Sequence, residues 1–154
     1  MAPNRRHSTI PPVEVSSVRK QLQTRVLEAR RTAKLRREAV SQAQAAYDAF
    51  LTQIAVPVAR QLVSALKAEG FAWNVSTPSG MVRVAPDAGR DDFIEIDFDT
   101  SAGVPKVIGR VSRGRGSRLV REEQVLADGA SPDTISDQDV LDYLLAALTP
   151  WIER

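Results

Sequence analysis

From Glu14 to Ala55 the chain contains neither glycine nor proline, and small or apolar residues recur in alternating steps of three and four. Leu22, Val26, Ala29, Ala33, Val40, Ala43, Tyr47, Phe50 and Ile54 mark the row, with Arg36 its one charged member. Ala, Gln, Arg and Leu dominate the stretch and lose little on entering a helix. A period of about 3.5 residues keeps one seam facing a partner helix over several turns. The spacing therefore predicts one long helix, capped near Ser16 or Ser17. Its seam, Leu22, Val26, Val40, Tyr47, Phe50 and Ile54, is expected to pack against a second helix through residues 22–54. That helix belongs to another copy or to another protein, so the chain is not expected to work as a monomer.

The same stretch is basic. Arg25, Arg30, Arg31, Lys34, Arg36 and Arg37 face only Glu28, Glu38 and Asp48. Residues 1–40 hold ten Lys/Arg against three Asp/Glu, a local net of +7 within a total of +2, so the remainder is acidic. From Arg121 to Arg154 there are eight acids and two bases. Such asymmetry points to a polyanionic partner or to acidic protein surfaces.

A chain of 154 residues accommodates one compact domain plus an extension. With 43% hydrophobic but only 5% aromatic residues, its core must come mainly from Val, Leu, Ile and Ala. The absence of cysteine excludes disulfides, thiolate metal sites and a Cys nucleophile, and fits a reducing compartment. No apolar run approaches the roughly 18 residues of a membrane span, and the charged opening Met-Ala-Pro-Asn-Arg-Arg-His has no apolar segment behind it. A cytoplasmic protein without membrane contact is expected.

Pro3, Pro11 and Pro12 mark residues 1–13 as a disordered tail. The basic heptad helix then spans 14–56. Pro57 should kink or restart it, after which Ile54, Val58, Leu62 and Leu66 recur every four residues, as for a helix packed on a globular body. Gly70 suits a left-handed helix cap. Residues 71–126 alternate with period two between turns at Pro78-Ser79-Gly80 and Pro86-Asp87-Ala88-Gly89, and predict four or five short strands in an antiparallel meander. Ser136 with Asp139 approximates a capping box for a closing helix, whose stripe is Val140, Leu141, Leu144, Leu145, Leu148 and Ile152. The expected fold class is α+β: a long, coiled-coil-like N-terminal helix, then a small meander covered by a C-terminal helix, the α+β domain occupying 57–154.

Catalytic chemistry is hard to assemble from these residues. His7 is the sole histidine and lies in the expected tail. Glu95, Asp97 and Asp99 share a strand face, but residues two apart on a strand are about 6–7 Å apart, whereas one divalent ion wants oxygens at about 2.0–2.6 Å. Lys106 and Arg110 on the next strand are the expected cross-strand partners. No catalytic residue, metal site or cofactor is predicted. From Lys106 to Arg121 six basic residues occur without an acid, interleaved with Gly109, Gly114 and Gly116. Glycine with arginine at a hairpin tip can approach phosphates closely. The candidate polyanion-binding set is Arg25, Arg30, Arg31, Lys34, Arg37, Arg110, Arg113, Arg115 and Arg118. The expected function is a non-enzymatic interaction or oligomerisation module, a subunit or adaptor in a larger assembly. The alternative is nucleic-acid binding without sequence preference, through the basic helix and the Arg/Gly hairpin.

Overall fold

The computed structural model describes residues 13–101, 103–128 and 131–153. The expected tail, His7 included, lies outside them apart from Val13. The fold is α+β. Helix α1 (Val15–Phe50) runs through a π-helical turn (Leu51–Ala55) into α2 (Val56–Ala68). Five strands come next: β1 (Trp73–Ser76), β2 (Val82–Pro86), β3 (Phe93–Asp99), β4 (Lys106–Arg115) and β5 (Arg118–Asp128). Helix α3 (Asp137–Ile152) closes the chain. The strands form one antiparallel sheet in the order β1-β2-β3-β4-β5, a plain meander.

Pro57 is accommodated differently from the expected kink at its own position. Proline lacks an N–H, and its ring crowds the carbonyl four residues earlier. The helix absorbs this upstream in the π turn, where the Val56 N–H bonds to the Leu51 carbonyl, five residues back. One extra residue in a turn rotates the face of the downstream helix by about 100° relative to that of α1. Gly70 (φ +90°) ends α2 in a Schellman arrangement: the Phe71 N–H bonds to the Leu66 carbonyl at 2.8 Å and that of Gly70 to Lys67 at 3.1 Å. At α3 the capping box is complete, with Ser136 Oγ accepting from the Asp139 N–H and the Asp139 carboxylate from the Ser136 N–H.

The described chain divides into two compact units, the first ending at Ala39 and the second opening at Val40. This boundary falls inside α1, ahead of the 56/57 division drawn from the sequence. The reason is that Tyr47 (1% exposed) and Phe50 (3%) are core residues of the second unit. There α2 supplies Val56, Val58, Ala59, Leu62, Val63 and Leu66, and α3 supplies Val140, Leu144, Leu148 and Trp151. These helices contact each other and the sheet, whose covered face carries Val82, Val84, Ile94, Ile96 and Val107. The Tyr47 ring stacks on Phe98 at 4.8 Å, and its hydroxyl donates to the Gly80 carbonyl at 3.0 Å. Trp73 meets Trp151 edge to face at 5.3 Å.

The α3 stripe is narrower than the sequence suggested. Leu144 is 1% exposed, but Leu145 is 42% exposed and Ile152 is also exposed, while Tyr143 and Trp151 take the buried places. The ring of Tyr143 lies directly on the backbone of Gly109, where a Cβ would stand 2.2 Å from the phenol. Glycine at that strand position is what admits the ring.

Candidate interaction surfaces

Of the six expected seam residues, Tyr47 and Phe50 are buried in the chain's own core, Ile54 packs against it, and Val40 is half-buried. Tyr47 and Phe50 are thereby closed to an intermolecular seam, the former stacked on Phe98 of β3. Leu22 (61% exposed) and Val26 remain open, as does Val18. From Val18 to Ala39 every residue of α1 is exposed. Arg25, Arg30, Arg31, Lys34 and Arg37 all lie on this exposed stretch, and among the described residues none has an ion-pair partner.

The helix from Val15 to Ala68 contains an 18-residue window of mean hydropathy 1.3, long and apolar enough by composition to cross a membrane, and 44% of it is buried in the protein. A core helix meets the same criterion, and α2 is one.

The Arg/Gly segment is a hairpin, as expected from the sequence, with its strands reaching further toward the turn than the expected tip. Strands β4 and β5 run through it, leaving only Gly116-Ser117 as the turn. Gly116 takes φ +63°, as the first central residue of a type II′ hairpin requires. Pairing of Arg113 with Val120 and of Arg115 with Arg118 places Arg113, Arg115 and Arg118 on one face of the hairpin. None of the three has an ion-pair partner among the described residues.

Arg110 belongs to the opposite face, and its charge is already used. It bonds Asp97 at 2.8 Å and Glu123 at 3.3 Å, and the Asp97 bond foremost raises its pKa. Glu95, 4% exposed, is ion-paired instead with Arg83, its cross-strand neighbour on β2, whose Nε is 2.7 Å away. The Arg83 guanidinium also lies over the Phe93 ring at 4.6 Å. Asp99 accepts from the Ser101 N–H and hydroxyl, which hold its pKa below the usual value. Lys106, opposite Asp99 in register, makes no ion pair among the described residues. The three carboxylates thus diverge to three different partners. No group of three or more His, Asp or Glu is placed for a metal ion among the described residues.

The described residues also border clefts. One of about 260 Å³ lies beside Tyr143, Gly109, Glu122 and Gln124. Burial, with Glu122 and Glu95 nearby, pushes the Tyr143 phenol well above its ordinary value. A second, about 310 Å³, is bordered by Phe93, Arg110, Ser112 and Arg121. The hydroxyls of Ser112 and Tyr143 are buried without hydrogen-bond partners among the described residues. The third, about 360 Å³, is an apolar groove between α2 and α3 floored by Val58, Leu62, Leu141 and Leu145.

Sequence reasoning missed the Tyr143–Gly109 contact and the role of Asp92. That carboxylate takes the Trp151 indole N–H at 3.2 Å and the Gly114 N–H at 2.7 Å, tying α3 to β4. A glycine inside a β-branched run was the one available signal for the former. Compared with protein families, curated proteins and solved structures, the chain matches none.

Proposed function

We propose that the protein is a non-enzymatic interaction module in which the exposed half of α1 docks a helical partner and the α+β unit anchors that helix. One observation carries the reading. A single seam row is buried in the chain's own core at Tyr47 and Phe50, yet continues N-terminally as exposed Leu22 and Val26. Apolar side chains held in a row on a helix gain by covering one another, at about 25 cal/mol per Å² removed from water. Pull-down from native lysate, with and without nuclease, tests the proposal. Captured protein should survive nuclease and disappear with Leu22→Glu/Val26→Glu. If wild type and variant capture the same proteins, the exposed row is not a docking surface.

The second reading, backbone-directed nucleic-acid binding, is favoured by Arg113, Arg115 and Arg118, which share one hairpin face without an ion-pair partner among the described residues. Changing all three to Gln should then weaken duplex binding equally across sequences. The log–log salt slope should shrink by about 0.9 for each phosphate no longer neutralised. Absence of salt-sensitive binding by wild type at low ionic strength removes this reading.

A further inference from the structure

Over residues 18–39 the heptad pattern assigns the α1 surface position by position. Arg19, Val26 and Ala33 occupy one seam row, and Leu22, Ala29 and Arg36 the other. The flanking rows, which meet the edges of any facing helix, are Gln23, Arg30 and Arg37 on one side and Val18, Arg25, Thr32 and Ala39 on the other. Neither flanking row contains an acid. Glu28 and Glu38 both fall outside the seam and its flanks. All of these side chains are exposed.

This arrangement selects against a second copy. In a parallel pair a flanking residue faces one five positions on in its partner, so Arg25 would oppose Arg30, and Arg36 would meet Arg36 inside the seam. In an antiparallel pair each flanking row meets its own kind, and no register supplies an opposite charge. Like charges at these positions oppose pairing, and complementary ones choose the partner.

Resting on the interaction reading above, we infer that the α1 face over residues 18–37 docks an acidic amphipathic helix of a different protein. Its seam is apolar, its flanking rows carry Glu or Asp opposite Arg25, Arg30 and Arg37, and an acid stands opposite Arg36. A nucleic acid would satisfy the arginines but leave the seam residues Leu22 and Val26 uncovered, so the apolar pair favours a helix.

The test uses the full chain and three synthetic peptides. The first has Leu in both seam rows and Glu in both flanking rows; the second replaces Glu by Lys; the third scrambles the first. Sedimentation of the chain alone should give a monomer at micromolar concentration. The acidic peptide should bind about tenfold or more tighter than the basic one, given three flanking charge contacts, and tighter than its scrambled form. Arg25→Glu/Arg30→Glu/Arg37→Glu should reverse the preference toward the basic peptide, and that reversal shows the variant helix is intact. Self-association abolished by Leu22→Glu would overturn the choice of partner while leaving the interaction reading standing. So would equal binding of acidic and basic peptides. Equal binding of the acidic peptide and its scrambled form, or displacement by duplex DNA regardless of Leu22→Glu, would assign the surface to polyanions. A monomer that binds no peptide would remove the interaction reading itself.

Discussion

The two ends of α1 carry the same row of residues and meet opposite fates. Around Tyr47 and Phe50 the row is sealed under the sheet, with a stacked Phe98 and a hydroxyl bonded to the Gly80 carbonyl. Around Leu22 and Val26 it is open and flanked by arginine. Periodicity fixes which face of a helix is apolar, but not what covers it. What differs between the ends is the flank. Gln44 and Ala46 flank the buried end without charge, whereas Arg25, Arg30 and Arg37 border the open end.

The largest expected contrast lies along that one row. Tyr47→Ala should reduce stability by about 3–5 kcal/mol, as for other large buried aromatics. Leu22→Ala should change it by at most about 0.5 kcal/mol. Chemical denaturation of the two variants measures both, and equal reductions would erase the distinction between the ends.

A comparable contrast is expected between neighbours on α3. Leu144→Ala should cost about 2–5 kcal/mol. Leu145→Ala, at a residue 42% exposed on the α2–α3 groove, should cost under about 1 kcal/mol. Melting curves that move together would mean that α3 does not cover the sheet through Leu144.

Gly109→Ala should cost about 1–3 kcal/mol by pressing a methyl into the Tyr143 ring. Most of that cost should vanish in a Tyr143→Ala background, because both changes act on one contact. Additive effects would place the strain elsewhere.

The smallest effect concerns pH. Burial raises the phenol pKa of both Tyr47 and Tyr143, each with carboxylates nearby adding to the shift. A raised folded-state pKa stabilises fully below the unfolded value of about 10, and that contribution is lost as pH rises toward the folded value. Stability should therefore fall above pH ~10. Tyr143→Phe should flatten part of the fall while changing stability at neutral pH by under about 1 kcal/mol, since its hydroxyl makes no hydrogen bond among the described residues.

Much of the architecture was legible because it obeys local rules. The unbroken helix, the Gly70 cap, the Ser136–Asp139 box and the alternating strands are each determined by residues within one turn or one strand. What could not be read depended on contacts distant in sequence. Tyr47 and Phe50 looked like intermolecular seam because nothing local reveals the sheet that covers them. Arg110 was legible as a cross-strand partner of the β3 carboxylates, but not its second bond to Glu123 on β5, nor the turn of Glu95 to Arg83 on the other neighbouring strand. Tyr143 takes a core place beside Leu144 because Gly109, on a different element, leaves space for its ring.

One seam with two covers, the sheet for its C-terminal end and a partner for its N-terminal end, is tested most directly by residue-resolved amide hydrogen exchange along α1 and α2. In the full chain alone at micromolar concentration, residues 18–37 should exchange far faster than residues 50–66, whose amides open only with the core. Saturation with the acidic heptad peptide should slow exchange over 18–37 and leave 50–66 unchanged. Equal protection of the two stretches in the chain alone would contradict this, because the N-terminal row would then already be covered.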